Sequence, residues 1–508
     1  MLDSTARRKA FRIAQALTVV AAGRVAYLFA RYVPGAGVPR FEVENAATIL
    51  GVLALVTVVL GGTPGRFEAR ADAGARAEVL AWCVAAVALY WPSITIGFLS
   101  DDFVLASRAA RGEFGAVSAD LFRPLPLVAW SLLLKIGAGA AGLHLLNAIM
   151  HGATAFLTRR LAVAFVAPRL AIAAGLLVLT FPASPEAVSW CAGVFDVSAT
   201  MLCLLTVLVS RRYAAGDRMV DRVGLFACAA FALLSKETAA VVPLLVGLDA
   251  WMRRRLSKRL AIDLSVLAGV LAAVGALRLL HASSMVKRPM TKYVLQRWFF
   301  GSAGALLVPW HVDVLRTLPW IALLTVGVTL AMAVAFILTP QPADRVRALV
   351  GSASWALAAT LPTVTFFFVA PDLQGGRYVY LAAIGWALTV AAFAEGLRHR
   401  VPRRLDLVAV ATMVICGAIG VRVQQMPWTR AGQLAKTVQR AAADDPRLRG
   451  CDAVALADLP DNVDGAYVFK NGVDEAFAAM GFVVRSDATP SCRFAWDAGR
   501  RAFDRRAP

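Results

Sequence analysis

The sequence predicts an all-α polytopic membrane protein of about thirteen transmembrane helices with a small α/β C-terminal tail. Three observations carry this. The chain is 59% hydrophobic and only 17% charged, with a mean hydropathy of +0.65. Apolar runs of about 20 residues recur, the length at which a helix crosses a bilayer with its backbone satisfied internally. Lys and Arg cluster in the short segments between those runs, where they set topology. The net charge of +20 is explained by these clusters. No basic, aromatic-rich soluble module accompanies them, so nucleic acid is not an expected partner.

The elements follow from the rule that short cytoplasmic loops are basic. Arg7, Arg8, Lys9 and Arg12 start inside. The next run carries Arg24 and Arg31 and shows no cleavage site, so 12–33 reads as a span rather than a signal peptide. Residues 46–62 return to the loop of Arg66, Arg70 and Arg76. Residues 78–98 go out and deliver Asp101 and Asp102 to the outer face. The stretch 99–142 reads as an outer loop with an interfacial helix at 124–136.

Residues 143–163 go in to Arg159 and Arg160; 170–184 go out to a turn at Pro182 and Pro185. Residues 191–210 go in to Arg211 and Arg212, 223–235 go out to Lys236-Glu237, and 238–251 return to Arg253, Arg254 and Arg255. Residues 260–280 go out. The loop 281–316 is then outer, and its Lys287, Arg288, Lys292 and Arg297 break the rule, which makes them candidates for touching an anionic ligand. Residues 317–339, 350–370, 380–397 and 406–424 complete the set.

This divides the chain into extra N-terminal spans (1–77), a transmembrane module (78–424) and an extracytoplasmic domain (425–508). In the last, Gln433–Ala443 reads as a helix, Ala453–Leu456 and Phe482–Arg485 as strands, and Phe469–Gly472 as a turn before a further helix. Cys451 and Cys492 would face an oxidising compartment, where they either bond or stay free. The other five of the seven cysteines lie in apolar runs and read as packing.

Polar islands at the outer boundary are the candidate site. Ser100-Asp101-Asp102 places two carboxylates where they are costly. One of them can serve as a general base, and neighbouring carboxylates also raise one another's pKa or hold a divalent cation. The same residues also read as a helix cap. His144, Asn147 and His151 fall at i, i+3 and i+7, on one helical stripe. Interhelical hydrogen bonding accounts for that stripe better than a metal does. Arg123, Lys236 and Arg377 are lone cations on the outer side. They read either as ligands for a lipid-linked phosphate or as snorkelling side chains. Glu186 sits in an outer turn with Trp190, and Glu237 reads as a partner for Lys236. There is no Walker loop and no GxSxG.

The ordered motifs Asp101-Asp102-Phe103, Phe122-Arg123-Pro124-Leu125, His144-Leu145-Leu146-Asn147 with His151, Pro185-Glu186-Ala187-Val188-Ser189-Trp190, Ser235-Lys236-Glu237-Thr238 and Arg377-Tyr378-Val379-Tyr380-Leu381 resemble the GT-C glycosyltransferases. They are closest to the protein O-mannosyltransferase-like and TMTC-like branch, over roughly 78–400. The tail from Leu459 to Phe469 is similar to the periplasmic tails of bacterial members.

The resemblance implies a GT-C fold and transfer of a sugar, with inversion, from a polyprenyl-phosphate donor to a glycan, lipid or protein acceptor outside the cytoplasm. It implies Asp101 as base and Asp102 as the group that orients substrate or cation. Arg123, Lys236 and Arg377 would hold the donor phosphate, with His144, Asn147, His151, Glu186, Glu237 and Tyr378 around the substrate. A divalent cation stays unassigned. The implied location is a bacterial inner membrane, with the N-terminus cytoplasmic and the C-terminus periplasmic. Asp-Asp in place of the usual Asp-Glu, no β-trefoil insertion and no helical repeats set this chain apart from the best-known members. The competing reading is a transporter or flippase for a lipid-linked glycan. Such proteins usually show internal repeats and broken helices at the midplane, and neither is visible.

Overall fold

The computed structural model describes residues 72–115, 122–281, 289–338, 342–398, 405–484 and 492–506, with a few positions between 13 and 24. The expected span 46–62, most of 12–33, and Lys287 and Arg288 lie outside them. The chain is mostly helical. Among the described residues, fifteen longer helices run in order: α1 Asp72–Leu89, α2 Asp101–Arg111, α3 Pro124–Lys135, α4 Gly139–Ala162, α5 Pro168–Leu179, α6 Val194–Gly216, α7 Met219–Ser235, α8 Val242–Met252, α9 Lys258–His281, α10 Lys292–Leu307, α11 Pro319–Leu338, α12 Ala343–Ala358, α13 Ala382–Leu397, α14 Leu405–Gln424 and α15 Met426–Asp444. Shorter turns of helix lie between them, notably Pro185–Ser189, Glu237–Val241 and Gly376–Val379.

Among the described residues, four helices are long and apolar enough to cross a membrane: 139–162, 191–216, 258–276 and 405–444. Shorter apolar helices, such as α5 and α13, pack between them. Proline at the first turn starts α3 and α5, where its missing N–H costs nothing. Close approach fixes how α13 lies on α12: a Cβ on Gly385 would come 2.4 Å from the Ala356 nitrogen. On α9, Val266, Val270 and Val274 repeat every four residues and all point outward, as a lipid-facing stripe does.

Among the described residues, several of the basic clusters are tied to neighbouring segments by ion pairs. Arg211 and Arg253 share Asp249, Arg254 pairs with Asp344, and Arg169 pairs with Asp406.

Several elements differ from expectation. Residues 101–111 form a helix, not loop; Phe103, Leu105, Ala106 and Ala109 are its buried face. The segment 281–316 contains α10 and a short helix Val312–Thr317. The tail helix begins at Met426 rather than Gln433, because Gln425 bridges it to α14 with almost no break. Of the strand expected over 482–485, residue 485 lies outside the described residues, and among 482–484 Val484 forms an isolated bridge to Val454.

The tail sheet has the order β1-β4-β5 (β1 Val454–Ala457, β4 Cys492–Asp497, β5 Ala502–Arg506). β1 and β4 are parallel, and β4 and β5 antiparallel with Trp496 opposite Phe503. A hairpin of β2 Asn462–Val463 and β3 Ala466–Tyr467 turns at Asp464-Gly465, both with positive φ. Phe477, Phe494 and Phe503 form the tail's core, which is continuous with Leu99, Leu127, Trp130 and Trp190 of the helical module. The tail is therefore docked on the part of the bundle that carries Leu99, Leu127, Trp130 and Trp190.

Cys451 and Cys492 form a disulfide that joins the start of β1 to β4 and closes a loop of 41 residues. Cys492→Ser is expected to cost the tail about 4 kcal/mol by loop-closure entropy. Faster proteolysis of 445–506 than in the wild type is the readout.

Candidate active site at the tail-covered end of the bundle

The site is built on the loop Leu99–Asp102. Asp102 is fully buried, and its two oxygens accept from the backbone N–H groups of Leu99 at 3.0 Å and Ala192 at 2.8 Å. Burial pushes its carboxyl well above the usual range, and those two amides pull it back. Trp190 Nε1 donates to the Leu99 carbonyl at 3.1 Å. Asp102 thus anchors the loop to the turn after Pro185–Ser189, each of its oxygens bonded to a backbone amide. Asp101 is only partly buried, and one of its oxygens accepts from Asn471 Nδ2 at 2.6 Å.

The three cations are each paired with a carboxylate. Arg123 forks onto Glu237 through Nε, at 2.8 Å, and Nη2, and its guanidinium lies over Phe195 at 5.2 Å. Lys236 Nζ reaches Asp196 at 2.5 Å. Arg377 Nη1 is 3.4 Å from Glu186 Oε1, and its backbone N–H donates to Glu186 Oε2 at 3.1 Å. Glu237 therefore pairs with Arg123, not with Lys236 as expected.

Burial lowers the Lys236 ammonium, which Asp196 offsets. Burial raises the Glu186 carboxyl, which Arg377 offsets. For Glu237, burial pushes upward, but Arg123 and then Lys236 hold it at about 2. The carboxyl partners keep the three cations desolvated yet neutralised.

Aromatic rings tie the pairs into one array. Tyr378 lies against both Lys236 (5.6 Å) and Arg377 (5.4 Å). Arg377 also stacks over Trp190 at 4.8 Å and Tyr467 at 5.9 Å, and the Tyr467 hydroxyl donates to Glu186 at 3.2 Å. Lys470 Nζ stands 5.2 Å over the same Tyr467 ring, next in sequence to Asn471.

The polar stripe of α4 is brought to the same region but turned into protein. His144 Nε2 lies 3.0 Å from the Gly97 carbonyl, Asn147 Nδ2 donates to Trp190 and Cys191 carbonyls at 2.8 and 3.2 Å, and His151 lies 2.6 Å from the Tyr380 hydroxyl and 3.1 Å from the Leu179 carbonyl. All three are fully buried. They hold α4 to its neighbours. Of the loop cations, Arg297 Nη2 lies 3.4 Å from the Thr365 carbonyl, and Phe366, the next residue, packs on Tyr378. Among the described residues, no group of three or more His, Cys, Asp or Glu side chains is placed to hold a metal ion.

The sequence reading missed Asp196, Tyr467 and Asn471. Asp196 carried a usable signal, a carboxylate in the first turn of an apolar helix. Tyr467 lay in the tail motif and Asn471 in the expected turn, but neither carried a sign of what it touches.

No family model matches the chain. Over 190 residues it is 30% identical to Protein O-mannosyl-transferase Tmtc1 of Drosophila melanogaster, a stretch that is 33% of this chain and 22% of that protein. One third of the chain is thus similar to a protein O-mannosyl-transferase. The chain spans about a fifth of that relative's length. Among solved structures, the crystal structure of ArnT from Cupriavidus metallidurans bound to undecaprenyl phosphate is similar over 82% of this chain and 92% of that one, with 15% identity and a TM-score of 0.43. At that score no residue is carried across.

Proposed function

We propose that the chain is a GT-C glycosyltransferase of a bacterial inner membrane that moves a sugar from a polyprenyl-phosphate donor to an acceptor on the extracytoplasmic side. One observation carries this reading: Lys236, Tyr378 and Arg377, from separate stretches of sequence, lie in contact, with Arg123 bonded to Glu237 beside Lys236 and Asp101 bonded to Asn471 in the tail segment whose Tyr467 faces Arg377. The similarity of one third of the chain to a protein O-mannosyl-transferase supports it.

In this reading Asp101 takes the proton of the acceptor hydroxyl through its free oxygen. The hydroxyl oxygen bonds to the anomeric carbon while the bond from that carbon to the phosphate oxygen breaks. The electron pair leaves with the polyprenyl phosphate, and displacement from the opposite face inverts the anomeric centre. Arg123, Lys236 and Arg377 stabilise the departing phosphate. Because each cation already holds a carboxylate, the phosphate enters by sharing those cations with Glu237, Asp196 and Glu186. His144, Asn147 and His151 support the site rather than touch substrate. The basic clusters face the cytoplasm, and the tail with its disulfide faces the periplasm.

The test is transfer in membranes given labelled polyprenyl-phosphate sugars. Label is expected to move from the lipid to a water-soluble or larger acceptor only when the chain is present. Label that crosses the bilayer still attached to its lipid, with no transfer from any donor, would replace this reading with a flippase.

A further inference from the structure

The loop that carries Asp101 is shaped by the tail, not only by the helices. Ser100 has φ of +50°, a region that favours glycine, so the surroundings must hold it there. Its N–H donates to the Val468 carbonyl at 2.8 Å, and its hydroxyl accepts from the Asn471 backbone N–H at 3.2 Å. Gly472 passes so close, with φ of +73°, that a Cβ there would lie 2.7 Å from the Ser100 carbonyl oxygen. Phe469 stacks on Phe103 at 6.2 Å. Tail residues 468–472 thus clamp one side of the loop, while the Asp102 anchor clamps the other. Within the clamp the Lys470 ammonium lies over the Tyr467 ring, and the Asn471 side-chain amide points at Asp101.

We propose that Asn471 is a positioning residue for Asp101: its amide holds one carboxylate oxygen and turns the other toward the acceptor hydroxyl. This rests on Asp101 being the base. The amide donates to the one oxygen it faces, which keeps the carboxylate in a single rotamer with its other oxygen toward the acceptor.

The test compares Asn471→Ala and Asn471→Asp in the full-length protein. Both keep the backbone N–H that bonds Ser100, so the clamp itself survives. Asn471→Ala is expected to lower kcat by roughly 10- to 100-fold with little change in donor KM, the size of effect a misoriented catalytic group gives. Asn471→Asp sets a second carboxylate beside the first. The acidic limb of its kcat/KM profile is expected to move up by about one pH unit or more.

A purely structural contact would reduce the amount of active protein and leave the pH limb in place. That result, or unchanged kcat in both variants, overturns the proposal. Should Asp101→Asn be inactive while both Asn471 variants match the wild type, only this inference falls. Should Asp101→Asn be fully active, the base assignment falls, and the positioning role with it.

Discussion

Asp101→Asn is expected to lower sugar transfer by about 10²- to 10⁴-fold, the usual contribution of a positioned general base. The substitution is nearly isosteric. An amide oxygen at 101 can still accept from Asn471 Nδ2, as the carboxylate does at 2.6 Å, so the loop keeps its shape while losing the basic oxygen. Donor binding, measured with unsugared polyprenyl phosphate, should stay at the wild-type level. Asp102→Asn should behave differently. Both Asp102 oxygens face backbone N–H donors, so an amide there must turn an NH₂ onto an N–H. The expected result is a lower melting temperature and poor yield, with a residual rate per folded molecule above that of Asp101→Asn. Wild-type transfer by Asp101→Asn would remove it from the chemistry.

Lys236→Met is expected to destabilise the protein by about 3–5 kcal/mol, the cost of leaving a buried partner charge uncompensated. Lys236 and Asp196 are 3% and 8% exposed in their side chains, so neither can turn to water. Replacing both, as Lys236→Met with Asp196→Leu, should recover most of that loss, because buried pairs exchange for apolar side chains at little net cost. Transfer and polyprenyl-phosphate binding should not recover, since the cation is gone. Melting and donor binding are measured together on the single and double variants. If the double variant regains both, Lys236 is structural glue and has no part in holding phosphate.

Much of the bundle is legible in the sequence because lipid makes polarity expensive. A charge at the edge of an apolar run stands out, and Asp101, Arg123, Lys236 and Arg377 are conspicuous for that reason. Their carboxylate partners are harder to read. Glu237 follows Lys236 in sequence, yet it bonds Arg123, 114 residues away, because adjacent residues at the start of a 3-10 turn point in different directions. The helix at 101–111 is hidden when total polarity is weighed over 99–142, although Phe103, Ala106 and Ala109 follow helical spacing. The tail is legible only in part. Its turn at Phe469–Gly472 is clear from composition, but β4 and β5 are not, and nothing local to Asn471 says what it touches.

The clamp on Ser100 also has a meaning in time. The hydrogen bond from Asn471 to Asp101 joins residues 370 positions apart. At synthesis rates of about 5–20 residues per second, on the order of 20–75 s separate the appearance of the two. Throughout that interval the helices can insert and pack, but the carboxylate lacks its amide partner. The Asp101 loop is therefore completed late in the chain's own biogenesis, once the tail has folded against the bundle.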